Sequence, residues 1–183
     1  MSTLAAPTTT TTWNLDPAHT SVEFAVKHLM ISTVKGRFAD VRGSLVTDES
    51  KPGASTVQVE IGVASIDTRN EQRDAHLRSP DFFDAESHPT LVFTGKRVEG
   101  DVTGSFRLTG DLTIRGVTRE ITLDVENEGT ARDPWGGERS AFSAKGKFSR
   151  ADFGLTWNQA LEAGGVMVSD EVKVTIDAQF VKA

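Results

Sequence analysis

Four histidines, His19, His28, His76 and His88, stand among the carboxylates Asp16, Asp74 and Glu86, and imidazole with carboxylate is the donor set of many zinc and iron sites. Their spacing argues against such a site. There is no HExxH or comparable pair, and His19 and His28 are an odd number of positions apart, on opposite faces of a regular strand. They read as polar residues of strand ends and loops. Acyl transfer needs a serine activated by a positioned base, and no GxSxG elbow is present. The glycine pairs Gly136-Gly137 and Gly164-Gly165 lack the Lys-Ser/Thr helix start of a phosphate loop. The chain has no cysteine, hence no thiolate nucleophile, disulfide or Cys-based metal site. Asp81 and Asp84 have the chemistry for acid–base work but read as surface carboxylates beside a short helix. The expectation is no catalytic residue, no metal and no cofactor.

Two polar segments remain. Ile66 to Arg78 is dense in polar groups, with Asn70, Arg73, Asp74 and Leu77 near one helical face. It reads first as a helix tied to a rim through Arg73 and Asp74, and second as a gate touching a ligand headgroup. Trp157-Asn158, with Met167 further on, joins a large apolar ring to amide donors and acceptors. That pairing suits either the mouth of an apolar cavity or ordinary core closure.

The elements that must position these groups are strands. Apolar residues alternate with polar ones from Val22 almost to the C-terminus: Val22, Phe24, Val26; Val57, Val59, Ile61; Phe106, Leu108, Leu112, Ile114; Ile121, Leu123, Val125; Phe142, Ala144, Phe148; Val172, Val174, Ile176. Charged residues such as Glu23, Lys27, Glu60, Arg107, Asp124, Lys145 and Lys173 take the other faces. With the runs Gly36–Val46 and Leu91–Val98 this makes about eight strands, enough to close a barrel. Lys51-Pro52-Gly53, Glu99-Gly100-Asp101, Arg115-Gly116 and Asp133–Gly137 supply turns between them. Between about residues 68 and 84 the pattern breaks. Thr68 to Glu71 has capping-box form, Gln72 to Arg78 continues as helix, and Ser79-Pro80 ends it, which predicts a short lid or plug.

The 183 residues suit one domain, and a net charge of −6 without a basic block makes nucleic acid an unfavourable partner. Residues 1–12, MSTLAAPTTTTT, lack the basic and apolar regions of a secretory signal and read as a disordered Thr-rich tail before a domain spanning 13–183. No stretch is apolar enough for a membrane span. As written the chain is expected in the cytoplasm, or in the periplasm or outside the cell if a leader has been removed.

Several segments together resemble the YceI-like family of bacterial polyisoprenoid-binding proteins. They are Trp13–Phe24 leading to His28, Gly36-Arg37-Phe38, Ile66-Asp67-Thr68 with Arg73–Arg78 and Asp81–Asp84, Pro89–Phe93, Gly110–Thr118, Arg150–Leu155 and Ser169–Val172. The resemblance runs from Trp13 nearly to Lys182. It implies an all-β, lipocalin-like barrel of eight antiparallel strands with an interior tunnel for a long isoprenoid or fatty amphiphile, no catalytic residues, and a homodimer as in some relatives. Many relatives are exported.

Under that reading Phe24, Val26, Phe93, Phe106, Leu108, Phe142, Phe148, Val174 and Ile176 line the lumen, and His28, Asn70, Arg73, Trp157 and Asn158 lie near a mouth. The expected function is binding, storage or transport of a polyisoprenoid such as a prenyl quinone or prenyl lipid. Two rivals are an enzyme acting on a small apolar or isoprenoid substrate through His28 or Asp74, and an interaction module whose barrel is only a scaffold. Alternation fits a solid core as well as a hollow one. Gly36, Gly110 and Gly146 on or near inward faces favour the hollow one by leaving room, the alternative being that they relieve strain where a barrel strand bends sharply.

Overall fold

The computed structural model describes residues 9–183. Eleven strands make a single antiparallel sheet that closes on itself. They are β1 (Thr10–Leu15), β2 (Ser21–His28), β3 (Ser32–Phe38), β4 (Val41–Asp48), β5 (Thr56–Gly62), β6 (Ile66–Asp67), β7 (Thr90–Gly100), β8 (Ser105–Ile114), β9 (Val117–Arg132), β10 (Glu138–Ser149) and β11 (Glu171–Lys182). Three bent staves (β1 with β2, β3 with β4, β5 with β6) and five unbroken strands give a barrel of eight. β11 closes the ring by pairing with β1 at Leu15↔Phe180 and with β2 at Val22↔Ile176.

The bends are where the sequence pattern breaks. Pro17 locks its φ and lacks an N–H, so the first stave passes through a single 3-10 turn, Pro17–His19. Asp16 holds that turn: its carboxylate accepts from Ala18 N at 3.0 Å, His19 Nδ1 at 2.9 Å and Arg139 Nη1 at 2.7 Å. Arg139 also donates through Nε to Asp133 at 2.9 Å, tying the bend to the β9–β10 turn. The run Gly36–Val46 is likewise two strands, broken at Ala39-Asp40.

Of the segment read as a tail, Thr10–Thr12 belong to β1 and pair with Asp48, Thr47 and Val46. Threonine is β-branched and favours this extended, laddered state. Residues 1–8 of that segment lie outside the described residues. The turns fall where expected, with Arg115-Gly116 forming a two-residue hairpin between Ile114 and Val117, both turn residues at positive φ.

The helical insertion is α1 (Glu71–Arg78). Its N-cap is Asn70, whose side chain accepts from Arg73 N at 2.9 Å, and not Thr68. Thr68 instead gives its N–H and hydroxyl to the buried carboxylate of Asp74, at 2.9 and 2.5 Å. Ser79 ends the helix and caps the next turn by accepting from Asp81 N. Under this excursion lies the densest core: Val63, Ile66 and Phe153 are almost fully buried, beside Phe38, Phe82, Leu91, Ile114 and Leu155. At roughly 1.5–3 kcal/mol per large apolar side chain, this cluster anchors one end of the barrel.

A candidate ligand cavity through the barrel

Inward-facing residues at mid-strand do not fill the lumen. Phe24, Phe93, Phe142 and Ile176 are only half-buried although their strands are continuous on both sides, because they face a cavity of about 1080 Å³, as does Phe106 near the start of β8. That exceeds the roughly 300–1,000 Å³ of ordinary small-molecule pockets. The glycines contribute differently from the expectation. A Cβ on Gly36 would collide with the Phe24 ring, one on Gly110 would lie 2.6 Å from Phe93 Cζ, and one on Gly146 2.6 Å from Leu123 Cδ2. The space over each glycine is already taken by a neighbouring side chain lying along the wall, which keeps that side chain out of the lumen.

The cavity wall runs the length of the barrel. At one end it includes Thr47, Glu49, Pro52, Thr103 and Thr130, and at the other Lys27, Asn70, Gln72, Arg73 and His76, several of them exposed at each end. Between them the wall is aliphatic and aromatic, with Val57, Val59, Ile121, Leu123 and Val125 joining the residues above. Thr109 and Ser140 are buried polar groups of the sheet. Thr109 pairs its hydroxyl with Thr122 at 3.0 Å, and no buried side-chain polar atom lacks a partner among the described residues.

The structure places Phe24, Val26, His28, Asn70, Arg73, Phe93, Phe106, Leu108, Phe142, Phe148, Trp157, Val174 and Ile176 at this wall. Asn158 is not there. Its amide donates to Val168 O at 2.7 Å and its carbonyl accepts from Val168 N at 3.1 Å, so it pins the segment before β11 instead. Arg73 donates Nε and Nη2 to Thr68 Oγ1 and O, at 2.8 and 2.7 Å. Together with Asp74 it ties the helix to the rim while its stem faces the cavity. Asp74 is not part of the wall, and its carboxylate accepts from Thr68, which is. Trp157 stacks edge-on to His76 at 4.7 Å and lies 5.3 Å from Phe82, and His76 Nε2 meets Asp81 at 2.8 Å.

Sequence reasoning gave no role to Arg150, the residue that organises this rim. It is 5 % exposed and donates to Leu155 O (2.7 Å), Trp157 O (2.9 Å), Ser169 O (3.0 Å) and Val168 O (3.4 Å). Burial pushes its guanidinium pKa down while Asp170, 3.5 Å away, opposes the shift. Only a planar fork with several donors satisfies so many carbonyls at once. Among the described residues no three His, Asp or Glu converge as a metal site would require. No described helix is long and apolar enough to cross a membrane.

A closed antiparallel barrel around one elongated apolar cavity defines a lipocalin-like protein. The model of the YceI-like domain matches residues 13–180, and the chain belongs to that family. A UPF0312 protein of Staphylococcus epidermidis is 39% identical over 171 residues, covering 93% of this chain and 97% of that one. The crystal structure of a Campylobacter jejuni YCEI protein is 36% identical, covers 86% of this chain and 90% of its own, and superposes with a TM-score of 0.73. BcnA of Burkholderia cenocepacia, at 22% identity, 90% and 98% coverage and a TM-score of 0.77, shares the fold. So does a Saccharophagus degradans domain described as polyisoprenoid-binding, at 17% identity, 93% and 98% coverage and a TM-score of 0.68.

Proposed function

We propose that this protein binds a polyisoprenoid or similar long-chain amphiphile inside the barrel and stores or carries it without transforming it. The observation that carries the reading is the apolar cavity of about 1080 Å³ running between exposed ends. If each chain carbon takes about the 30 Å³ of a liquid water, the cavity has room for roughly 36 of them, about seven isoprenoid units. At about 0.8 kcal/mol per methylene, burying even half that chain yields on the order of 14 kcal/mol gross, from which chain ordering and lost translation subtract. Affinity then tracks chain length, and the polar residues at the ends, Asn70, Arg73 and His76 at one of them, orient a headgroup.

The described polyisoprenoid-binding neighbour from Saccharophagus degradans agrees with a ligand of this class. The absence of Asp74 from the wall and its satisfaction by Thr68 favour a binder over an enzyme using that residue. The test is thermal unfolding with prenyl alcohols and prenyl quinones of graded length. A midpoint that climbs with chain length and levels off near seven units supports the reading. No shift with any of them contradicts it.

A further inference from the structure

Beside the cavity end that carries α1, the β2–β3 hairpin pushes three apolar residues into water. Leu29, Met30 and Ile31 lie beyond the last ladder pair, His28↔Ser32, and Met30 and Ile31 are 60 % and 83 % exposed. Leu29 and Met30 also sit at φ 53° and 59°, the left-handed region that turns of this kind normally fill with Asn, Asp or Gly. Two bulky side chains in the left-handed region cost stability, and their exposure to solvent returns no burial energy to offset it. Folding alone gives no reason for them. The tip is enlarged by the segment before β11: Leu29 N donates to Met167 O at 2.8 Å, and Val166 next to it is exposed.

On the outer faces below the tip, lysines outnumber the exposed carboxylates, which are Glu23, Glu171 and Asp124. Register puts Lys35, Lys173 and Lys147 in one row across β3, β2, β11 and β10, with Ala25 between the first two. Lys27 lies nearer the tip and Lys145 one step further along β10, and all five are exposed. Five of the eight lysines of a chain with net charge −6 thus share one face, and the only ion pair that any of them makes among the described residues is Lys147 with Glu171 at 3.6 Å. The opposite rim carries Asp48, Glu49, Asp101, Glu126 and Glu128.

We propose that this end of the barrel docks on an anionic lipid surface. The Leu29–Ile31 tip enters the acyl boundary, the lysine face meets the headgroups, and the cavity exchanges its contents with the bilayer beside the tip. Val26, His28, Val34, Met167 and Val168 belong both to the cavity wall and to the base of this tip, so the membrane contact is continuous with the mouth. Apolar insertion backed by lysines is how peripheral proteins hold a bilayer, with each juxtamembrane lysine strengthening attachment to acidic lipid. The exchange step rests on the proposed amphiphile binding; the docking step does not.

The test is co-sedimentation of the full chain with vesicles of phosphatidylcholine alone and of phosphatidylcholine with phosphatidylglycerol. The wild type is expected to bind the acidic vesicles about tenfold or more tightly than the neutral ones. Leu29→Asn/Met30→Gly/Ile31→Ser is expected to lose about a hundredfold on both while melting no lower than wild type. Lys35→Gln/Lys147→Gln/Lys173→Gln is expected to lose only the preference for acidic lipid. Trp135→Ser, which removes an 87 % exposed ring in the β9–β10 turn, is expected to change nothing. Four results overturn docking: a wild type that sediments with neither vesicle, a tip variant that sediments like wild type, detachment by Trp135→Ser, or a tip variant whose only change is from dimer to monomer by light scattering. A prenyl-alcohol thermal shift kept by the tip variant separates the two ideas. Its absence in the wild type counts against the lumen ligand and leaves docking standing.

Discussion

Replacing Val59 by Trp narrows the lumen without touching either end. Val59 sits mid-strand on β5 between Gly43 and Phe93 and faces the cavity, and its wall neighbours are apolar. The indole adds about seven non-hydrogen atoms to the valine side chain, so it excludes roughly seven chain carbons, at about 0.8 kcal/mol each, or near 6 kcal/mol gross. Part of that is regained as the displaced chain shifts along the tunnel, which leaves a net loss of about 3 kcal/mol, roughly a hundredfold in Kd. Calorimetric titration with prenyl alcohols of increasing length reads this directly. Chains that fill the lumen lose about a hundredfold, while chains shorter by two isoprenoid units bind as in the wild type, and the melting midpoint changes little. Equal losses at every length, or no loss at any, refute the assignment of the ligand to the lumen. Gly146→Leu on β10 is a poorer probe of the same space, because its Cβ would press on Leu123 Cδ2 and on Thr122 O at 3.2 Å.

Arg150→Met should destabilise the protein by about 3 kcal/mol in denaturant unfolding, because the carbonyls of Leu155, Trp157, Ser169 and Val168 lose a shared donor, and limited proteolysis should then cut within residues 156–168. Arg150→Lys should not restore it, since one ammonium does not span those oxygens. The Asp16 carboxyl is held at about 2, below its ordinary 3.8, by His19 and then Arg139. Its stabilisation is therefore complete above about pH 4 and fades as pH falls toward 2, and after solvent screening it is worth about 1 kcal/mol. Asp16→Asn should remove that part of the acid limb in pH-dependent melts, and an unchanged limb contradicts the bend's dependence on this carboxylate. Leu29→Asn/Met30→Gly should raise stability by about 1–2 kcal/mol, the cost of two side chains in the left-handed region, and a loss of stability shows that the tip is held by packing instead.

The barrel was legible because period-two alternation is unusually regular from β8 to β11, and because Arg115-Gly116 and Asp133–Gly137 have turn chemistry that only antiparallel neighbours need. The first strand was not, since Thr10–Thr12 present the same side chain to both faces and leave no alternation to read. The helix boundary moved because Thr68 has a stronger partner in buried Asp74 than in the helix N-terminus. Wall residues were legible from alternation, which fixes the face. Whether that face encloses space was not, because stave bends and the strand tilt decide it. Arg150 and Asn158 act on backbone carbonyls and amides of a loop far from periodic structure, and such contacts leave no spacing signal.

Native mass spectrometry of protein purified without detergent, followed by organic extraction, tests the lumen ligand most directly. The expected spectrum shows the chain with a non-covalent adduct whose extracted mass is a long isoprenoid or fatty amphiphile, diminished or replaced by a shorter chain in Val59→Trp and kept in Arg73→Gln. Bare protein in every preparation, together with no thermal stabilisation by any prenyl alcohol or quinone, contradicts it.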